Sequence, residues 1–321
     1  MALPANLDGK LRIPLIGAPM FIVSGPELVL AQCKAGIVGS FPALNARPES
    51  MLEEWLQKIT TELAEFSAKN PGLPVAPFAV NQIVHKSNDR LGHDVEMCVR
   101  YKVPIVITSL RPPADVVDAV HSYGGIVFHD VINLRHTEKA LEQGVDGIIA
   151  VCAGAGGHAG TTSPFALIKE IRRIFDGALI LSGSMSRGCD LVAARAIGAD
   201  LAYFGTRFIA TTEANAPAKY KEMIVNSNSA DIVYTPLFTG VHGSYLRGSI
   251  EAAGLDPDNL DQVDTKHMNF GSGGNSRAKA WRDIWGAGQG VGTIDEILPV
   301  HDVVMQIERE YRDTLQRVTA A

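Results

Sequence analysis

Eight short apolar runs mark the first two-thirds of the chain. They are LIGAPM (15–20), IVGS (37–40), VAPFAV (75–80), VPIVITS (103–109), GIVFHD (125–130), GIIAVC (147–152), ALILSG (178–183) and LAYFGT (201–206). Each is continuous rather than alternating, the pattern of a strand buried on both faces, as in a parallel sheet covered by helices. Amphipathic stretches lie between them. MLEEWLQKITTELAEF sets Leu52, Trp55, Leu56, Ile59 and Leu63 on one stripe, and FALIKEIRRIF sets Phe165, Ile168, Ile171 and Phe175 on another. Ser163-Pro164 reads as an N-cap followed by proline at the first helical position. Ala-Gly-Ile at 35–37, Tyr-Gly-Gly at 123–125 and Ile-Gly-Ala at 197–199 put glycine where helices should stop. Eight strand–helix alternations in about 200 residues is the count of an α/β (β/α)8 TIM barrel. A doubly wound sheet, which closes after five to seven strands in most cases, is the weaker fit.

Past residue 206 the rhythm changes. RFIATTEANAPAKYKEMIVNS reads as helical, and IVYTPLF as a strand or an extended segment. Residues 240–276 are rich in Gly, Asp and Asn and include FGSGGNS (270–276), a segment with the composition of a mobile lid; ILPVHDVVMQIEREYRDTLQRV then returns to a helix. The order predicts a barrel over 1–213 and 277–321, with a small cap or substrate domain, 214–276, inserted after the eighth strand. A formal charge of −6 argues against nucleic acid or an anionic membrane surface as partner. No run reaches the ~18 apolar residues of a membrane span, and the first residues lack a secretory h-region. Cys33, Cys98, Cys152 and Cys189 are scattered without metal-ligand spacing, which predicts reduced thiols in a cytoplasmic protein and no metal.

In such barrels ligands sit at the C-terminal ends of the strands, with phosphate commonly held by the loops after strands 7 and 8. Those loops read SGSMSRG (182–188) and GTRF (205–208), so Ser182, Gly183, Ser184, Gly205 and Thr206 are candidates for phosphate binding. The plainer reading makes Gly183 and Gly205 turn residues. Strand 1 ends in Ala18-Pro19-Met20 and Asn81 ends the PFAVN run at strand 3. Met20 is read either as core packing or as a wall beside a flat cofactor, and Asn81 as a turn former or an amide donor. At the end of strand 5, His129 is read as a pocket donor or as a structural histidine.

The stretch AVCAGAGGHAGTTSP (150–164) places Gly156 and Gly157 directly before His158. Gly154-x-Gly156-x-x-Ala159 has the letters of a dinucleotide fingerprint, but the helix that should open at the glycines starts only at Pro164. SMSRG (184–188) is one substitution from a nucleophile elbow, with Ser184 where the first glycine belongs, which argues against a serine hydrolase. His158, above strand 6 at the catalytic face, has the chemistry to take a proton from a carbon acid or to bind an anion. The alternative is a loop histidine capping a helix. His242, in TGVHGSY, is a tentative substrate contact.

GAPM, PFAVN, GGHAG, SGS followed by AARAIGAD, FGTRFIAT, SYLRGSIEAAG and WGAGQGVGTI occur in this order. Together they make nearly the whole chain resemble the nitronate monooxygenase (2-nitropropane dioxygenase-like) family of FMN-dependent TIM-barrel oxidoreductases. The resemblance implies one non-covalent FMN. It implies Ala18, Pro19, Met20, Asn81 and His129 near the flavin, with Gly156 and Gly157 beneath it. Ser182, Gly183, Ser184, Gly205 and Thr206 would lie on its phosphate, Gln289 would close the site, and His158 matches the catalytic histidine. It further implies oxidation of alkyl nitronates or nitroalkanes with O2, in a flavoprotein monooxygenase for which a homodimer is an expected assembly. The pattern departs from many relatives at Val151 and Gly154, where a glutamine and a glutamate are common. Two other readings stand beside this one: an NAD(P)H-dependent flavin reductase acting on quinones or enoyl thioesters, and a flavin-binding module without catalysis.

Overall fold

The computed structural model describes residues 3–4, 7–111, 113–260 and 284–320. The proposed lid at 270–276 and the boundary at 276/277 lie outside the described residues. The strands, in chain order, are β1 (Leu15–Gly17), β2 (Gly39–Pro42), β3 (Phe78–Val84), β4 (Ile105–Leu110), β5 (Ile126–Val131) and β6 (Gly147–Val151). There follow β7 (Gly157–His158), β8 (Ala178–Ser182), β9 (Leu201–Phe204), β10 (Ile232–Thr235) and β11 (Gly243–Leu246). Eight of them run parallel in the order β1-β9-β8-β6-β5-β4-β3-β2. An Ile16–Val38 bridge joins β1 to β2 and closes the ring. The eight apolar runs are therefore the eight staves of a (β/α)8 barrel.

Side chains alternate along each stave. Ile16, Val38, Ala79, Ile107, Phe128 and Ile180 fill the barrel. Val80, Val106, Val127, Ile148, Leu179 and Leu181 face the surrounding helices. Full burial of one such aliphatic side chain contributes roughly 1.5–3 kcal/mol, and the staves gain it on both faces. Leu52, Leu56, Ile59 and Leu63 of the helix Met51–Lys69 are buried as the stripe predicts, with Trp55 edge-on to Phe41 at 5.6 Å. Gly36, Gly124 and Gly198, the three predicted helix stops, all have positive φ.

Two expectations need correction. On the helix Pro164–Arg172 the buried stripe is Leu167, Ile168 and Ile171, while Phe165 is 61% exposed. Phe165 lies about 110° around the helix from the centre of that stripe, on the flank turned away from the barrel. The stretch after β9 is two short helices, Thr206–Ile209 and Ala218–Val225, rather than one. Pro217 disfavours a helical residue before it and has no N–H to donate, so the helix restarts after it.

The IVYT segment is a strand, β10, paired antiparallel with β11. The helix Val300–Thr319 returns to the barrel wall and packs on the helix Gly188–Ile197. The two helices touch so closely that a Cβ on Gly188 would collide with the Ile307 carbonyl. Among the described residues no helix is long and apolar enough to cross a membrane.

Candidate active site

The inward positions at the C-terminal ends of the staves set the floor of the barrel mouth. The alternation that buries Ala79, Ile107, Phe128 and Ile180 inside also turns Asn81, Ser109, Asp130 and Ser182 inward. Three of these form a chain. Asn81 Nδ2 donates to Ser109 Oγ at 2.9 Å and to the Ile107 carbonyl at 3.2 Å, and Ser109 Oγ donates to Asp130 Oδ2 at 2.6 Å. Asp130 Oδ1 and the Tyr203 hydroxyl are buried with no hydrogen-bond partner among the described residues. Burial pushes the Asp130 carboxyl up to about 6, partly offset by the Ser109 hydroxyl. Burial and the neighbouring Asp130 charge push the Tyr203 phenol well above its ordinary value.

His129 is not part of this floor. It sits between Phe128 and Asp130, which face in, and so shares the outward side with Val127 and Val131. Its ring is buried between stave and helix, Nδ1 lies 2.8 Å from Thr108 Oγ1, and burial with the nearby His136 pulls its pKa down to about 4. The inward group at the end of β5 is Asp130, one residue on.

Three loops meet above the floor. The Gly154 carbonyl accepts from the Ser184 N–H at 3.2 Å and the Gln289 N–H at 2.9 Å, tying 153–157, 182–186 and 288–290 together. Gly154 has φ +82°, and a Cβ there would collide with Ser184 Oγ and come within 2.8 Å of Gln289 Oε1. Gly183, at φ +131°, passes under the carbonyls of Ala153 and Cys152, where a Cβ would stand 2.9 and 3.2 Å from them. Thr206 Oγ1 accepts from the Gly288 N–H at 2.9 Å. Gly205 faces Ala18 and Met20, where a Cβ would find its nearest atoms at 3.6–3.8 Å. The Ala18-Pro19-Met20 turn is braced by Asn45, whose Nδ2 donates to the carbonyls of Met20 at 2.9 Å and Ser24 at 2.8 Å. Only inspection of the folded chain finds Asn45, because nothing local to it announces a contact with strand 1.

His158 forms the two-residue strand β7, which adds to the β10–β11 hairpin as a third antiparallel strand, with His158 opposite Gly243. The Ala159 N–H donates to the His242 carbonyl at 3.3 Å, and the Tyr234 hydroxyl donates to the Ala159 carbonyl at 2.7 Å. His158 Nε2 lies 2.9 Å from Thr239 Oγ1. Its ring is half-buried, yet its surroundings pull the pKa down to about 4, so it is neutral at neutral pH. His242 is exposed and stacks on Tyr234 at 5.1 Å. The structure thus brings together Gly154, Gly156, Ser184, Thr206 and Gln289 where these loops meet, with His158 and His242 on the adjoining hairpin and Gly205 beside Ala18 and Met20. A separate cleft of about 300 Å³, lined by Arg187, Arg207, Asp302 and Glu310 among others, lies behind the loop after β8 against the C-terminal helix.

The donor set of the mouth suits a polar, partly anionic organic group. Glycine-lined loops leave backbone within reach, Gly157 has open space where a Cβ would stand, and the Asp130 carboxyl and Tyr203 hydroxyl supply unmatched polar atoms below. Among the described residues no cluster of three or more His, Cys, Asp or Glu side chains is placed to hold a metal ion. A sequence model of the nitronate monooxygenase family matches residues 7–310. The chain belongs to the nitronate monooxygenase family. As a member it is an oxidoreductase, and relatives bear that out at low identity. A nitronate monooxygenase of Paraburkholderia phytofirmans is 25% identical, the alignment covering 95% of this chain and 94% of that one. Two solved structures share the fold at 98% coverage of this chain. FabK from Thermotoga maritima has a TM-score of 0.77 at 23% identity, covering 97% of that protein. A nitroalkane oxidase from Streptomyces ansochromogenes has 0.76 at 21% identity, covering all of that protein (100%).

Proposed function

We propose that this nitronate monooxygenase family member binds FMN at the barrel mouth and oxidises alkyl nitronates, and neutral nitroalkanes after removing a proton, with O2 as electron acceptor. The observation that carries the reading is His158: a neutral imidazole, pinned by three-stranded pairing above a glycine-lined mouth, in a chain matched over 7–310 by that family. When bound, FMN supplies the two-way redox chemistry, accepting electrons from the substrate and passing them to O2. Every other task falls to the protein. Ser182, Gly183, Ser184, Gly205 and Thr206 would hold the phosphate, the serine and threonine hydroxyls and the glycine N–H groups supplying the donors. Ala18, Pro19, Met20 and Asn81 would line the flavin's pocket, Gly156 and Gly157 would let the backbone pass close, and Gln289 would help close the site.

A nitroalkane must lose an α-proton before it carries the charge of a nitronate. His158 is the base that takes it: the C–H electron pair moves into the C=N bond and the proton moves to the imidazole. For a preformed nitronate the same ring orients an anion and no proton moves. His242, exposed on the hairpin beside His158, is the tentative second contact to the substrate. Anaerobic mixing of the purified yellow protein tests the reading, with propyl-2-nitronate in one cuvette and NAD(P)H in another. Bleaching by nitronate supports it. Bleaching by NAD(P)H alone replaces it with a flavin reductase acting on a quinone or enoyl thioester.

A further inference from the structure

The five candidates for holding a phosphate, Ser182, Gly183, Ser184, Gly205 and Thr206, offer only hydroxyls and backbone N–H groups, all of them neutral. A phosphate monoester carries close to two negative charges at neutral pH, its second ionisation lying at about 6. A dianion taken out of water needs a counter-charge as well as neutral donors. The two loops that carry the candidates hold two cations, Arg187 in SGSMSRG and Arg207 in GTRF. Arg187 is engaged already, with Glu310 at 2.7 Å and Asp295 at 3.8 Å.

Arg207 is not. It is 5% exposed and forms no ion pair among the described residues. Its hydrogen bonds there are two long ones, from Nη1 to the carbonyls of Ala210 at 3.4 Å and Glu296 at 3.3 Å. Burial and the nearby Arg187 pull its pKa down to about 10, partly restored by Glu310, Asp295 and Glu296, so it stays charged at neutral pH. The segment 288–296 fixes it between the two loops. The Gly288 N–H donates to Thr206 Oγ1, Thr293 Oγ1 meets Ser186 Oγ, and the Glu296 carbonyl takes the guanidinium. The charged groups that share its cleft are Arg187, Asp295, Glu296, Asp302, Arg309 and Glu310. Glu310 is held by Arg187, while Asp295, Glu296, Asp302 and Arg309 are exposed, so water screens them. A buried charge acts through a poorer dielectric and reaches further.

We propose that Arg207 is the positioning charge for the flavin phosphate: a buried guanidinium between the loops after β8 and β9 that keeps the bound phosphate a dianion and so selects FMN over riboflavin. The inference rests on the FMN reading given above, and adds the residue that answers the charge of the phosphate. Hydroxyls and N–H groups of the loops make the contacts, and Arg207 acts on them and on the dianion through its field.

The test compares FMN and riboflavin binding to the flavin-stripped full chain, read by quenching of flavin fluorescence, in wild type, Arg207→Met and Arg207→Lys. In Arg207→Met the FMN-to-riboflavin affinity ratio is expected to fall about ten-fold, the order expected for one partly screened charge acting on another. Arg207→Lys, which keeps the charge, should hold the ratio within about three-fold of wild type. A merely structural arginine would weaken both flavins together, and an unchanged ratio in Arg207→Met overturns the proposal. A 31P NMR pH titration of FMN bound to the wild type is the second arm and needs no variant to fold. The bound phosphate is expected to take its second proton about one pH unit or more below the free value of about 6. A bound phosphate that titrates at or above the free value overturns the proposal. If the wild type binds FMN and riboflavin alike, the role of Arg207 falls while flavin binding stands; if it binds neither, both fall.

Discussion

Gly154 shows how a single position can reshape a site without touching a ligand. Its left-handed φ and its contact with Ser184 and Gln289 leave no room for a side chain in this loop. Val151 faces into the barrel and is 9% exposed, giving the mouth an apolar wall. His158 carries the acid–base expectation. Replacing it by Gln should lower kcat/KM for a neutral nitroalkane by roughly 10²–10⁴, the usual worth of a positioned base, with a smaller loss for preformed nitronate. Steady-state oxygen consumption with both substrates measures this.

Asp130 makes a stability prediction. Its carboxyl titrates at about 6 in the fold against 3.8 for the free group, so the fold favours the protonated form. Stability therefore falls as pH rises from 3.8 through 6, by up to about 3 kcal/mol above that window. Asp130→Asn, tested without FMN, should be the more stable protein at pH 8 by up to that amount and close to wild type at pH 4, read from urea unfolding at the two pH values.

Among the elements, the staves were legible because two-sided burial writes itself as an unbroken apolar run, and all eight runs became strands of one barrel. Which way each side chain faces was less legible. At the end of β5 the eye goes to His129, and only the alternation counted from Phe128 gives the inward place to Asp130. β7 left no signal at all, since two residues have no period and their pairing partner is 85 residues away by sequence, Gly243 against His158. Thr239 and Asn45 were invisible for the same reason: their roles exist only after distant segments meet. The contact between the helices Gly188–Ile197 and Val300–Thr319 yields a prediction at this scale. A methyl group at 188 has ordinary φ but no space against Ile307 and Tyr311, so Gly188→Ala should push the helices apart. The cost is about 1–3 kcal/mol, the range for overpacked interiors. Glu310, which accepts from the Gly188 N–H at 2.8 Å and pairs with Arg187 at 2.7 Å, would shift with them. A lowered thermal midpoint, with weaker FMN retention through the loop after β8, is the expected result.

For the molecule as a whole, acid is the sensitive direction. His129 and His158 each fall from 6.5 to about 4 on folding, chiefly through burial, so the unfolded chain binds more protons between those values. The stability they protect is present above pH 6.5 and lost as pH drops to 4, at most about 3 kcal/mol apiece. Asp130 runs the other way over pH 6 to 3.8 and offsets about one of the two. The thermal midpoint should therefore fall between pH 7 and pH 4, and the slope should flatten in His158→Gln; a midpoint that rises toward pH 4 would contradict the lowered pKa of both rings. The β7–β11 pairing has a consequence for anyone exchanging parts between relatives. The hairpin that walls the mouth also clamps the backbone and the ring of the histidine on the facing loop. The placement of His158 therefore depends on the hairpin, and a transplanted hairpin would shift that ring unless its Thr239 and its strand register came with it.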